Sequence, residues 1–228
     1  MAEDRGTIVE RTELIALSDS GSLVVEAYRS VRSSIHAAGA DMRVVEMTGV
    51  VPDEGKSVFA ANVAVVMAQA GKKVLLIDCD FAHPMQHVLF QLGNRGLFEA
   101  VNSESEVSAF CQPTKQTGLS LLTVGKMALP DLLSSERFPE ILEGLKKDYD
   151  YILLDAPAVL ASADALAAAA CADGVVLVIE SGKEEPKTAR LAKKRLEQAK
   201  ANVLGCVLNS VKVDGRYDEL YRMRGATG

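Results

Sequence analysis

Six short runs of valine, isoleucine and leucine alternate with segments of helix length along most of the chain. The apolar runs cover 43–48, 73–78, 119–124, 151–155, 174–180 and 203–208. They show little alternation of apolar and polar residues, which is typical of strands buried on both faces. The segments predicted to be helical are 22–39, 56–70, 136–147, 163–172 and 186–201. The pattern predicts an α/β fold, a doubly wound and mainly parallel sheet with helices on both faces.

The two ends of the chain differ from this pattern and set the predicted domain limits. Residues 1–21 are predicted to form a polar N-terminal leader, and 22–211 to form one domain. The predicted tail, 212–228, is polar and carries Tyr217 and Tyr221. A chain of 228 residues is long enough for one large α/β domain and too short for two.

Charge and hydropathy exclude several classes of protein. The formal net charge of −6 argues against nucleic-acid or anionic-membrane binding through bulk charge. No apolar run reaches the roughly 18–20 residues that a membrane span needs. The N-terminus is charged rather than signal-like. We therefore expect a cytoplasmic protein that has no nucleic-acid partner and no membrane span of its own.

The stretch TGVVPDEGKS, residues 48–57, lies where the first predicted strand turns into a helix. It is similar to the phosphate-binding loop G-x-x-x-x-G-K-[ST], except that Val50 stands where the first glycine is expected. In such a loop backbone N–H groups point at phosphate, the lysine reaches the β and γ oxygens, and the hydroxyl ligates Mg²⁺. The sequence therefore predicts a nucleotide site at Lys56 and Ser57.

Aspartates follow two further predicted strands. The stretch VLLIDCD ends a strand with Asp78 and Asp80, which lie two residues apart, so both carboxylates face the same side of an extended chain. That arrangement suits an Mg²⁺ ion and an attacking hydroxyl that share one site. Asp155 ends the strand YILLD, the position of a Walker B metal carboxylate. Any one of these aspartates alone is equally well explained as a loop or capping residue, whereas the three in this order favour a functional site.

Several linked motifs resemble one family, the cytoplasmic domain of bacterial tyrosine autokinases (BY-kinases). They are EAYRSVRSSI, the stretch from EGKS to DFAHP, the stretch from DYDYILLDAP to VIESGK, and VLGCVLNSV. The resemblance covers roughly Val24 to Val211. It implies a P-loop NTPase fold related to the Min and Par partition ATPases, with ATP and Mg²⁺ bound.

The resemblance also implies roles for particular residues. The catalytic residues would be Asp78, which accepts the proton of the attacking tyrosine, and Lys56. The residues assigned to the nucleotide are Gly55, Lys56, Ser57, Val58 and Asn209, the last similar to the residue that contacts adenine. The residues assigned to the metal are Ser57, Asp80 and Asp155.

The segment EAYRSVR matches the family pattern E-x-x-R-x-x-R, which mediates ring-like self-association in the family. Its residues are Glu26, Arg29 and Arg32, whose spacing keeps all three near one helical face. The alternative is a solvated helix face with local ion pairs.

Partners and phosphate acceptors also follow from the resemblance. Family members that are separate chains are activated by the cytoplasmic end of a membrane chain-length regulator, and they control polysaccharide polymerisation and export. The resemblance therefore implies such a partner, recruitment to the inner face of the membrane, and phosphorylation of Tyr217 and Tyr221.

The chain departs from the family at its predicted site. Asp53 replaces a glycine and Val58 a hydroxyl-bearing residue, and Ala82 and His83 stand where arginines are usual. An inward-facing Asp53 would lower ATP affinity by about one to three powers of ten, and an outward-facing one by little. These departures leave open a degenerate kinase-like scaffold with weak or no nucleotide turnover. A partition-type ATPase is a third hypothesis, opposed by Val51 at the position of its signature lysine.

Overall fold

The structure is a computed structural model that describes residues 14–19, 22–129 and 131–211. Within them, one sheet contains the strands β1 (Val44–Gly49), β2 (Val74–Asp78), β3 (Gln112–Pro113), β4 (Leu119–Leu122), β5 (Tyr151–Asp155), β6 (Gly174–Glu180) and β7 (Val203–Asn209). The strand order is β3-β4-β2-β5-β1-β6-β7. Every neighbouring pair is parallel except β3 and β4. The predicted doubly wound, mainly parallel sheet is confirmed.

Helices cover both faces of this sheet. They are α1 (Ile15–Ser18), α2 (Leu23–Ala37), α3 (Lys56–Gln69), α4 (Gln86–Leu89), α5 (Leu97–Val101), α6 (Arg137–Leu145), α7 (Ala163–Cys171) and α8 (Pro186–Gln198), with a 3-10 helix at Val107–Phe110. Helices α1, α2 and α3 pack on one face, against alternate residues of the central strands. Helices α5, α6, α7 and α8 pack on the other.

Helix α3 is the element that fixes the position of the predicted phosphate loop. It is apolar around its whole circumference, and 12 of its 14 residues are buried. A helix that is apolar all round is stable only when it is enclosed, and α3 lies between the sheet and α2. Its N-terminus, which begins at Lys56, is therefore held rigidly at the edge of the sheet.

Two segments differ from the sequence-based expectation. The stretch 102–118, for which neither a strand nor a helix was predicted, contains the 3-10 helix and β3. Within the predicted leader, Leu14 and Ala16 are buried, and Asn62 and Gln69 of α3 bond to the backbone of Ala16. The packed domain thus includes residues before position 22.

In the part of the chain that the structure describes, no helix combines the length and the apolar character needed to cross a membrane. The parallel strands instead direct their carboxyl ends to one edge of the sheet, where the ligand crevice of such a fold opens. The residues that end these strands are Gly49, Asp78, Leu122, Asp155, Glu180 and Asn209.

Candidate functional site

The loop between β1 and α3 has the backbone of a phosphate loop. Gly55, immediately before α3, has a left-handed φ of 76°. A Cβ there would lie 2.4 Å from Asn209 Nδ2, so only glycine fits. The free N–H groups of the first turn of α3 point into the crevice at the carboxyl edge and favour an anion.

Asp53 occupies the position where the resembling family has glycine, and its φ of 64° is also left-handed. Aspartate tolerates this conformation better than most residues. The residue is exposed, and Lys183 Nζ donates to the carbonyl oxygens of Pro52 and Asp53 at 3.3 and 3.1 Å. The side chain of Asp53 is therefore open to solvent rather than enclosed by the loop.

The carboxylate that does enter the loop is that of Glu54, which sequence reasoning missed. Glu54 is 1% exposed, and its Oε2 accepts from Val50 N at 2.5 Å and Val51 N at 3.0 Å. Its Oε1 accepts from Glu180 N at 3.2 Å, so it joins the loop to the end of β6. A Cβ on Gly49 would lie 2.8 Å from Oε2. The sign of this contact in the sequence is the glycine at position 49, where a larger residue would collide with the Glu54 carboxylate.

Lys56 and Ser57 begin α3 and face the ends of β2 and β5. Lys56 Nζ lies 2.7 Å from Asp80 Oδ2 and 3.4 Å from Ser57 Oγ. Burial lowers the pKa of Lys56, but the charges of Asp155 and Asp80 outweigh this effect and raise it overall. The lysine therefore carries its positive charge inside the site.

Asp78 and Asp155 end neighbouring parallel strands and lie directly opposite each other in register. Both are fully buried. Burial and the charge of Asp155 raise the pKa of Asp78 to about 8, against three backbone N–H bonds that lower it. Burial also raises the pKa of Asp155, against the charge of Lys56 and a hydrogen bond from Gln86. The raised pKa of Asp78 suits this carboxylate to accept a proton near neutral pH.

Gln86, the first residue of α4, is a second residue that sequence reasoning missed. Its side chain is fully buried, and Nε2 donates to Asp155 Oδ2 at 2.8 Å and to the carbonyl oxygen of Ser57 at 3.0 Å. Its backbone N–H donates to Asp78 Oδ2 at 3.0 Å. A single glutamine has no recognisable spacing, so only the structure could bring it to the site.

The other residues predicted to bind the nucleotide lie at the loop. Asn209, at the end of β7, donates from Nδ2 to the carbonyl oxygen of Glu54 at 2.9 Å. Val58, the third residue of α3, is half-buried and packs against the core.

Ala82 and His83, which stand where the resembling family has arginines, follow Asp80. The His83 side chain is 83% exposed, with Nδ1 3.9 Å from Asp80 Oδ1. An imidazole cannot form the planar, five-donor fork of an arginine guanidinium, so His83 does not replace one. The site therefore contains Lys56 as its buried cation among the described residues.

The predicted self-association motif lies on α2. Arg29 forms an ion pair with Glu26, and Arg32 Nη1 donates to the carbonyl oxygen of Val66 at 3.0 Å. Part of the motif thus makes contacts within the chain, and self-association stays a prediction. Tyr217 and Tyr221 lie outside the described residues.

Among residues 14–19, 22–129 and 131–211, no group of three or more His, Cys, Asp or Glu side chains is arranged as a metal cage. Mg²⁺ does not need one, because it keeps several waters and uses one or two carboxylates with substrate phosphates. Asp155, whose carboxylate is bonded to the Ser57 side chain, has a buried Oδ1 with no hydrogen-bond partner among the described residues, an oxygen acceptor of the required kind. The residues present therefore fit an Mg²⁺ ion.

Comparisons with known proteins show similarity to tyrosine kinases. Residues 44–185 match the sequence family described as AAA domain. The tyrosine-protein kinase YwqD of Bacillus subtilis (strain 168) is 39% identical over 93% of this chain and 92% of its own length. The tyrosine-protein kinase wzc of Salmonella typhimurium is 33% identical over 89% of this chain, which spans only 29% of that longer protein.

A solved structure extends the similarity to three dimensions. The kinase domain of the Escherichia coli tyrosine kinase ETK superposes with a TM-score of 0.80 at 30% identity, over 88% of this chain and 82% of that one. The fold, the strand-end aspartates and the glycine–lysine–serine loop thus occur together in a chain whose relatives are kinases. The chain belongs to the bacterial tyrosine-protein kinase (BY-kinase) family.

Proposed function

We propose that this protein is an ATP-dependent protein-tyrosine autokinase that regulates exopolysaccharide or capsule polymerisation and export. The observation that carries the proposal is the buried Lys56–Asp80 pair at the N-terminus of α3, beside the aligned carboxylates of Asp78 and Asp155. A permanent cation, a helix N-terminus and a carboxylate of raised pKa are the groups that phosphoryl transfer to a hydroxyl requires.

In the proposed reaction the bond between the γ-phosphorus of ATP and the β,γ-bridging oxygen breaks, and a bond from the tyrosine oxygen to that phosphorus forms. Asp78 accepts the tyrosine proton, and the leaving ADP carries the electron pair of the broken bond. Lys56 leaves Asp80 to contact the phosphates, whose oxygens the N–H groups of Gly55 to Val58 bind. Ser57, Asp80 and Asp155 would hold Mg²⁺, which when bound neutralises phosphate charge. Asn209 would contact the adenine.

Further elements of the proposal concern partners. Glu26, Arg29 and Arg32 would contact a neighbouring copy, and the cytoplasmic end of a membrane chain-length regulator would activate the kinase. Such a partner would bring a cytoplasmic protein to the inner face of the membrane. Tyr217 and Tyr221 would be the acceptors.

We expect phosphate on Tyr217 and Tyr221 because the other three of the chain's five tyrosines are held in the domain: Tyr28 and Tyr151 are buried, and Tyr149 is half-buried with its hydroxyl bonded to Ser120 and Cys111. The measurement is mass spectrometry after incubation with Mg-ATP and a peptide from the cytoplasmic end of a chain-length regulator. The double variant Tyr217→Phe/Tyr221→Phe should bring phosphotyrosine to background while Mg-ADP binding is unchanged. Full phosphorylation of the double variant would contradict this assignment.

The second candidate, a degenerate scaffold in the same machinery, is favoured by Asp53 and by Ala82 and His83, which stand where the family has arginines. We expect Asp53→Gly to change Mg-ADP affinity by less than about fivefold, since one exposed charge near phosphate costs about 1 kcal/mol at most in water. Calorimetry on the variant and on Asp131→Gly, another exposed aspartate with a left-handed φ, of 62°, separates backbone from charge effects. A gain of about a hundredfold in Asp53→Gly alone would favour a weakened scaffold.

A partition-type ATPase is the least supported function. Val51, at the position of its signature lysine, is half-buried and bonded through its N–H to Glu54. Hydrolysis stimulated by DNA or lipid, without phosphotyrosine, would favour it.

A further inference from the structure

We propose that Gln86 is a positioning residue of the magnesium site, holding Asp155 with its amide N–H₂ and accepting a hydrogen bond from the hydration shell of the ion with its carbonyl oxygen. The inference rests on the proposed function, because it concerns the metal that accompanies the nucleotide.

The first support is the place of Gln86 in the fold. It follows the loop after β2 and is fully buried. Its backbone N–H, with that of Met85, donates to Asp78 Oδ2, each at 3.0 Å. The residue is therefore fixed against the proposed base before its side chain makes any contact.

The second support is that the orientation of the amide is determined. Nε2 faces two acceptors, Asp155 Oδ2 and the carbonyl oxygen of Ser57. The reverse orientation would set Oε1 against both of these oxygens, with no donor between them. The Gln86 side chain thus bridges the start of α3 and the end of β5, the two elements that carry the proposed ligands Ser57 and Asp155.

The third support is an unmet need for donors. Gln86 donates to one oxygen of the Asp155 carboxylate, which is also hydrogen-bonded to the Ser57 side chain. Gln86 Oε1 and Asp155 Oδ1 are both buried and have no hydrogen-bond partner within the part of the chain that the structure describes. Buried acceptors in proteins are almost always satisfied. Lys56 Nζ does not serve them, because its contacts are Asp80 Oδ2 and Ser57 Oγ.

The missing donor has a definite chemical character. An amide oxygen and a carboxylate oxygen together repel phosphate and attract a hard cation with its bound water. Outer partners of a metal site typically change its metal affinity by about 10- to 100-fold. The ligand is therefore Mg²⁺ with its bound water.

The test compares ADP affinity in millimolar Mg²⁺ with that in EDTA, by calorimetry. In the wild type Mg²⁺ should strengthen ADP binding, and Gln86→Met, of similar length, should lower this enhancement about tenfold. The affinity in EDTA should change by less than about threefold. Gln112→Met is the matched control. Like Gln86, Gln112 donates from Nε2 to two oxygen atoms, in this case the carbonyl oxygens of Gly93 and Arg95, away from the loop.

The proposal is overturned if Mg²⁺ strengthens ADP binding in Gln86→Met as much as in the wild type. It is also overturned if the variant loses ADP affinity equally in Mg²⁺ and in EDTA, because an equal loss indicates general disruption of the site. If Gln86→Met does not fold, Gln86→Asn serves, because its shorter amide cannot span from α4 to both acceptors. If Mg²⁺ strengthens ADP binding in Gln86→Asn as much as in the wild type, the proposal is also contradicted. Wild-type protein that binds no ADP at all would instead remove the proposed function itself.

Discussion

Replacing Asp78 by asparagine is expected to lower the rate of tyrosine phosphorylation by about 10²- to 10⁴-fold, the usual contribution of a general base. Burial and the neighbouring Asp155 raise the pKa of Asp78 to about 8, so this carboxylate binds a proton more readily than an ordinary one. An amide of the same size cannot accept the proton of the tyrosine hydroxyl. Quantitative mass spectrometry of phosphotyrosine over time measures the effect.

The affinity for Mg-ADP separates a base from a binding residue. It should change by less than about threefold in Asp78→Asn, because the phosphates are proposed to contact Lys56 and the loop. Asp150→Asn is the matched control, since Asp150 also accepts a backbone N–H, that of Lys73, and lies at the opposite edge of the sheet. A fall in affinity as large as the fall in rate would show that Asp78 serves binding.

Replacing Lys56 by methionine is expected to lower Mg-ADP affinity by about 10²- to 10³-fold and to abolish measurable phosphorylation. Opposite charges about 4 Å apart attract by about 4 kcal/mol at an effective dielectric constant of 20, and each 1.4 kcal/mol is about tenfold in affinity. Calorimetry gives the affinity directly. Lys183→Met is the matched control, because Lys183 contacts the outer side of the same loop.

Loss of Lys56 also leaves Asp80 buried without its ion-pair partner, which typically costs about 3–5 kcal/mol of stability. The double variant Lys56→Met/Asp80→Asn separates the two effects. It should regain much of the free energy of unfolding, measured in urea, and none of the nucleotide affinity. A double variant that regained affinity would show that Lys56 acts only by neutralising Asp80.

The sequence allowed the centre of the sheet to be predicted because β1, β2 and β5 are buried on both faces. The edge strand β7 was also expected to be buried on both faces but is partly exposed, because among the described residues only β6 pairs with it. The run YILLD at 151–155 has this property and was located at its observed limits. Helix α4, with four residues, and the two-residue strand β3 are too short for any periodicity to develop. Their existence depends on tertiary contacts, so the sequence could not reveal them.

At the site, regular spacing identified residues attached to strands and to the loop, such as Asp78 and Lys56. It did not distinguish the two neighbouring carboxylates of the loop. The sequence indicated Asp53 as the carboxylate inside the loop, whereas Asp53 is exposed and Glu54 is enclosed by backbone N–H groups. The direction of a side chain in a loop depends on backbone dihedral angles and on partners distant in sequence, here Glu180 and Lys183.

The most direct measurement is transfer of phosphate from ATP labelled at the γ position to tyrosine of the wild-type chain. Mg²⁺ and the chain-length-regulator peptide are present, and Asp78→Asn is run in parallel. We expect labelled phosphotyrosine in the wild type, and in Asp78→Asn an amount that is lower by at least about 10²-fold. Wild-type protein that binds Mg-ADP but gives no labelled tyrosine would contradict the kinase and leave a nucleotide-binding scaffold.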